Sequence, residues 1–329
     1  MSLRSPPVDH RNDQHRRRLA VATCIEARDV DEGADEDAPL LMAALAEADL
    51  DATLAVWDDE SVDWTDFDLV VIRSTWDYAL RRDEFVAWAQ RVESVTTLRN
   101  PASVIRWNTD KRYLADLATD GVAVTPTEFL LPADVDGAAA AAVRIRSAIA
   151  PDSQFVVKPT VSAGSKDTVR YAAPVDDRSS LDSAATQAAA LLAAGRAVMV
   201  QPYLSAVDAE GETGLVFFGG TFSHAFRKGP LLRVGGEPVS GLFMQESISP
   251  RVATDAQLAV AAQAIASAQS RTGADLLYAR VDLLPGHDGE PVVLELELTE
   301  PSFFLETSNG AATRAAAAMA SAIPALSRE

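Results

Sequence analysis

The chain has 329 residues, 48% of them hydrophobic, and a formal net charge of -19. That is ample for a large core and for two or three structural units in one compact body. The acidic balance argues against a broad nucleic-acid face, which needs clustered Lys and Arg, but leaves room for an anionic nucleotide held by a few local cations, backbone amides and a metal.

In chain order, the polar, basic stretch 1–18 reads as a disordered leader. The apolar run Leu19–Ile25 that follows is too short for a secretion signal and passes straight into Glu26, Arg28 and Asp29, so it reads as a first strand. It contains Cys24, the only cysteine. No intramolecular disulfide is possible, which fits a reducing cytoplasm, and burial habits make Cys24 a core residue. After an acidic loop at Asp29–Asp37, Pro39 opens a helix. Thr53–Trp57 and Leu69–Arg73 read as strands, Asp83–Val92 as a helix and Thr96–Leu98 as a short strand ending at Asn100-Pro101. Alternating strands and helices imply a small parallel α/β unit. A helix at Asp110–Leu117 follows, capped by Asn108 or Thr109. Strands are expected at Gln154–Pro159, Val169–Ala173 and Ala197–Leu204, with an alanine-rich helix at Ser179–Ala194. Glu212–Phe218 and Thr221–Lys228 form a hairpin across Gly219-Gly220. Thr254 caps a helix running to Gly273, Tyr278–Leu284 and Pro291–Leu298 make a second hairpin, and a helix covers Ala311–Ala322. The second half is thus α+β behind an α/β lead unit. No apolar stretch approaches the about 20 residues of a membrane span, and the four histidines lack zinc spacing.

The strongest local chemistry lies in the second hairpin. Pairing Leu284 with Pro291 sets Arg280 opposite Glu295 and gathers Arg280, Asp282, Glu295 and Glu297 on one face, with Leu283, Leu294, Leu296 and Leu298 on the other. Converging carboxylates need positive charge between them. Arg280 supplies part, and Mg²⁺ with nucleotide phosphates suits the rest. A solvated strand face with an ordinary ion pair is the competing reading. Lys158 ends an apolar strand and needs an anionic partner. Ser162, Ala163, Gly164 and Ser165 follow it as a small-residue loop suited to phosphate oxygens, although no P-loop is present. Gln201-Pro-Tyr-Leu204 ends another buried strand, because Pro202 removes a ladder donor. Arg73 stands where its strand runs out, a usual ligand position in parallel sheets. With Trp76, Asp77 and Tyr78 it could hold a zwitterionic amino acid, and Glu26 occupies the analogous end of the first strand. The alternative is that Trp76 and Tyr78 staple the loop to the next helix.

Taken in order, Asn108-Thr-Asp-Lys111, Val156-Val-Lys158-Pro159, Ser162-Ala-Gly-Ser165, Gln201-Pro-Tyr-Leu204, Arg280-Val-Asp282 and Glu295-Leu-Glu297 resemble the ATP-grasp superfamily of ligases. The phrases Ser74-Thr-Trp-Asp-Tyr78, Phe222-Ser-His-Ala-Phe-Arg-Lys228 and Glu297-Leu-Thr-Glu-Pro-Ser302 are similar to the branch of glutathione synthetase and RimK-type ligases, and closest to the cyclo-ligases that form cycloserine from O-ureido-D-serine. One departure is Glu297, where the superfamily usually has Asn. The cyclo-ligase group shares it, and Glu still ligates Mg²⁺.

The resemblance implies two α+β subdomains clasping ATP, at 108–200 and 201–329, behind a substrate-side unit at 19–107. Lys111 and Lys158 would hold phosphates under the 162–165 lid. Gln201, Tyr203, Leu204 and Glu212 would complete the nucleotide site. Asp282, Glu295 and Glu297 would bind Mg²⁺, as a pair of ions replaceable by Mn²⁺, while Lys228 and Arg280 would stabilise the transferring phosphoryl group. An ATP-dependent ligase or cyclase for an amino-acid-like substrate is the implied function, with no nucleic-acid or membrane partner. A homodimer is the family habit. A peptide-forming ligase and a non-catalytic nucleotide-binding regulator are the alternatives.

Overall fold

The computed structural model describes residues 17–29, 35–177, 179–235 and 247–324. Most of the expected leader and the middle of the acidic loop lie outside these residues. The lead unit is a four-stranded parallel sheet in the order β2-β1-β3-β4, made of β1 (Arg18–Thr23), β2 (Asp51–Val56), β3 (Leu69–Ile72) and β4 (Thr97–Arg99). Helices α1 (Ile25–Asp29), α2 (Asp37–Glu47) and α3 (Arg82–Glu93) accompany it. Phe85, Trp88 and Val92 put one face of α3 into a core with Trp57 and Ile72. Leu19–Ile25 was expected to be one strand. It breaks at Cys24, whose N–H donates to the Ser74 carbonyl, and Ile25 begins α1.

Helices α4 (Ala102–Asn108) and α5 (Tyr113–Thr119) lead to an antiparallel sheet ordered β5-β8-β6-β7. Its strands are β5 (Glu128–Leu130), β6 (Phe155–Pro159), β7 (Val169–Tyr171) and β8 (Val198–Pro202), packed on α6 (Gly137–Ala148) and α7 (Ser179–Ala193). The short α8 (Ala206–Glu210) precedes a five-stranded antiparallel sheet ordered β11-β10-β9-β12-β13. Its members are β9 (Glu212–Phe218), β10 (Thr221–Lys228), β11 (Ile248–Arg251), β12 (Tyr278–Pro285) and β13 (Pro291–Glu297). Helix α9 (Asp255–Thr272) has the Thr254/Gln257 capping box and a left-handed Gly273, and α10 (Ala311–Ala322) packs on α2.

The β12–β13 register differs from simple pairing across Leu284 and Pro291. Pro285 pairs with Pro291, and a bulge between Asp282 and Leu283 sets Asp282 opposite Glu295 and Arg280 opposite Glu297. The tip shift of one residue and the bulge of one add to two. Side-chain parity is therefore kept for Arg280, Asp282, Glu295 and Glu297, which still share a face. Leu294 is the extra residue. It joins Leu284, Leu204 and Val207 in a small apolar cluster instead of lying behind the sheet with Leu283 and Leu296.

Candidate active site

A cavity of about 550 Å³ opens between the two antiparallel sheets and the lead unit. Its apolar end is lined by Val156, Pro202, Tyr203, Leu204, Val207, Leu284 and Leu294. The bulge therefore completes this end by turning Leu294 inward. The guanidinium of Arg170 lies 3.4 Å from the Tyr203 ring centroid, and the Tyr203 hydroxyl donates to Asp208 Oδ1 at 2.6 Å. Gln201 lines the cavity while its Nε2 donates to Thr127 Oγ1 at 2.9 Å.

The middle of the cavity is a lattice of opposite charges. Lys158 Nζ donates to Glu295 Oε1 at 2.7 Å, and Lys111 Nζ lies 3.9 Å from Glu295 Oε2. Lys228 Nζ is 3.7 Å from both Glu212 and Asp282. Arg280 grips Asp282 with two hydrogen bonds of 2.9 and 2.8 Å and also meets Glu297. Burial works to raise the Glu295 carboxyl, but Lys111, Lys158 and Lys228 outweigh it and hold that group well below the usual carboxylate range. Glu297 goes the other way: burial lifts it, and Arg280 offsets this only in part beside Asp282 and Glu295. The lattice thus answers the need for positive charge with protein cations. Among the described residues no three His, Cys, Asp or Glu groups stand in metal-holding geometry. The donor chemistry, hard carboxylate oxygen throughout, suits a divalent cation wherever Lys158 and Arg280 release those oxygens.

Lys111 was expected on a helix but lies in the turn between α4 and α5, where its Nζ donates to the Ser162 carbonyl at 2.8 Å. Asn108 ends α4 rather than capping the next helix. Its side chain donates to Leu296 O at 2.7 Å and accepts from Leu298 N at 2.8 Å, which holds the outer edge of β13 beyond its backbone bridge from Val293 to Val124. Ser162, Ala163, Gly164 and Ser165 all line the cavity, with Gly164 and Ser165 both left-handed at φ near 60°.

The substrate-side residues divide. Trp76 and Tyr78 line the cavity, and Tyr78 also stacks on Phe85 of α3 at 5.0 Å. Glu26, Arg73 and Asp77 are not among the described lining residues. Asp77 accepts from Trp57 Nε1 at 2.8 Å and pairs with Arg81. Arg73 is fully buried and pairs with Asp37 at 3.0 Å and Asp35 at 3.4 Å, so it belongs to the wall. Asp35 and Asp37 stand between it and the cavity, which both of them line. Asp35, Asp37, Glu300, Ser302, Phe304 and Glu306 line this end instead. Glu300, beside Glu297 and hydrogen-bonded by the Tyr78 hydroxyl, has its carboxyl lifted by burial to about 8. The signal for these residues was present in the run Glu297-Leu-Thr-Glu-Pro-Ser302, but nothing in its spacing assigned roles.

Two α+β lobes around an apolar slot, with lysines from both and carboxylates on the facing hairpin, make up an ATP-grasp fold, and the chain is an enzyme. The family profile described as "D-cycloserine synthetase DcsG, N-terminal domain" matches residues 19–100. The chain is 44% identical over 290 residues to the cycloserine biosynthesis protein DcsG of Streptomyces lavendulae, covering 87% of this chain and 93% of that one. The crystal structure of D-cycloserine synthetase DcsG superposes with a TM-score of 0.83 at 40% identity, covering 93% of this chain and all of the other. A RimK domain ATP-grasp protein from Sphaerobacter thermophilus has the same fold, with a TM-score of 0.61 at 19% identity over 94% of this chain and all of its own. The chain belongs to the D-cycloserine synthetase family.

Proposed function

We propose that this enzyme is a Mg-ATP-dependent cyclo-ligase that activates a carboxyl-like group of an amino-acid-like substrate, such as O-ureido-D-serine, and closes the ring with an amine of the same molecule. The observation that carries this reading is the charge lattice midway between an apolar end and an aromatic, acidic end of one cavity. The apolar end, with Gln201, Tyr203, Leu204 and Leu294, would hold the adenine, and Glu212 its ribose. Lys111, Lys158 and the 162–165 loop would hold phosphates and exclude water. Asp282, Glu295 and Glu297 would hold magnesium, which when bound neutralises phosphate charge. Lys228 and Arg280 stand where negative charge develops during phosphoryl transfer, so their contribution is positioning and electrostatic. Trp76 and Tyr78 would wall the substrate, and Glu300 would face its ammonium.

The test is ADP release with Mg-ATP across ureido-serines, single amino acids and dipeptides. Release with O-ureido-D-serine alone, abolished by EDTA and by Glu295→Gln, is the expected result. Stimulation only by a pair of separate substrates would move the assignment to a peptide-forming ligase. No stimulation by any of them would favour a nucleotide-binding regulator.

A further inference from the structure

Residues 299–304 follow β13 as irregular chain, and side chains from other elements take up their backbone polar groups. The Tyr278 hydroxyl donates to Thr299 O at 2.8 Å, Trp76 Nε1 to Glu300 O at 3.1 Å, and Arg73 to Pro301 O. Arg280 Nη1 donates to Ser302 O at 3.0 Å, and His224 Nε2 meets Phe303 O at 2.8 Å. On the donor side, one carboxylate serves three successive amides. Asp37 accepts from the N–H groups of Phe303 at 2.6 Å, Phe304 at 3.2 Å and Leu305 at 2.7 Å. Phe304 is left-handed at φ 50°, a conformation that costs a non-glycine residue energy and turns neighbouring N–H groups toward a common point. Arg73 holds Asp37 at 3.0 Å and lies 3.9 Å from the Phe303 ring centroid. Buried backbone of this kind keeps its path only while its partners are in place.

We propose that Asp37 and Arg73 are positioning residues for the amino-acid half of the reaction: from the lead unit they hold residues 299–305 so that Glu300, Ser302 and Phe304 face the cavity and the Ser302 carbonyl aims Arg280 at Asp282 and Glu297. This assignment rests on the function proposed above. Neither side chain needs to touch the substrate. The nucleotide end, built by β6, β8 and the β12–β13 tip, lies outside their reach.

Asp37→Asn tests it with little change in volume, because an amide sets an N–H₂ against backbone donors and leaves Arg73 with less counter-charge. In the full-length enzyme at saturating Mg-ATP, kcat/KM for O-ureido-D-serine is expected to fall about a hundredfold, the scale of a small misplacement of reacting groups. KM for ATP is expected to stay at its wild-type value. Arg73→Lys keeps the charge but cannot fork between Asp37 and the Pro301 carbonyl, so it should change the same constants in the same direction by less. It carries the test if Asp37→Asn does not fold. Hydrogen exchange supplies a readout that needs no turnover. The amides of Phe303–Leu305 should exchange faster in either variant while β9 and β10 keep their protection. If wild-type enzyme ignores the ureido compound, the function proposed above fails and exchange alone decides the positioning role. Unchanged exchange at Phe303–Leu305, or equal losses in both KM values with faster exchange throughout the large sheet, would overturn the proposal.

Discussion

Glu300 and Glu295 are carboxylates held in opposite surroundings. The two lie in one cavity, yet lysines hold Glu295 ionised while burial and the charge of Glu297 lift Glu300 to about 8. A folded-state value above the ordinary 4.5 means that the native protein binds the proton more tightly than the unfolded chain. That group costs nothing below pH 4.5 and destabilises progressively as pH rises toward 8. Glu300→Gln removes the titration. The thermal midpoint of the variant relative to wild type should therefore climb between about pH 5 and pH 9 and then level off. A difference that is flat across that range would show that Glu300 ionises normally. At this scale the sequence was informative where chemistry is local. Lys158 at the end of an apolar strand had to have an anion, and Glu295 is 2.7 Å away. It was uninformative for Arg73, because strand-end position says nothing about which carboxylates meet it, here Asp35 and Asp37.

Elements with strong punctuation were legible. Gly219-Gly220 closes the β9–β10 hairpin, and Thr254, Gln257 and Gly273 bound α9. The short β5 and β11 and the alanine-rich α6 carried no such marks, and the β12–β13 bulge answers to tertiary packing rather than to turn chemistry. One glycine at this scale has a packing reason that no turn rule exposes. Gly214 lies opposite Phe226 in the β9–β10 ladder, and a methyl group there would sit 2.1 Å from the ring's Cζ. The ring is fully buried and packs against Phe304 at 4.6 Å, so displacing it disturbs the cavity floor as well as the sheet. Gly214→Ala should cost about 1–3 kcal/mol, the usual penalty of overpacking a close-packed core, read as a lower urea midpoint with an unchanged slope. A wild-type midpoint would show that Phe226 has room to move.

Across the whole molecule, apolar burial is divided unevenly. Leu19, Leu41 and Leu69 of the lead unit share one core with Val216, Phe226, Tyr278, Phe303 and the inward face of α10, so these parts should unfold together. The sheet β5-β8-β6-β7 differs: its core of Leu130, Ile145, Phe155, Val157, Ala188 and Val198 is drawn from 130–200 alone. Met199 of β8 and Phe129 of β5 reach into the neighbouring core, and beside these two apolar contacts the sheet is tied to the rest by polar ones such as the Lys158–Glu295 pair and the hydrogen bond from Lys111 N to Thr160 O. A small unit with its own core, joined by these ties, has less stability to draw on than the large shared core. Calorimetry of the unliganded enzyme should therefore resolve two transitions, the lower one belonging to this unit. A non-hydrolysable ATP analogue with magnesium would add contacts from both sides of the cleft. At a hundred times its dissociation constant such a ligand stabilises by about 2.7 kcal/mol, enough to raise the lower transition by on the order of ten degrees and merge it with the upper. A single transition without ligand, with equal calorimetric and van't Hoff enthalpies, would mean that those ties couple the two bodies as tightly as a common core does.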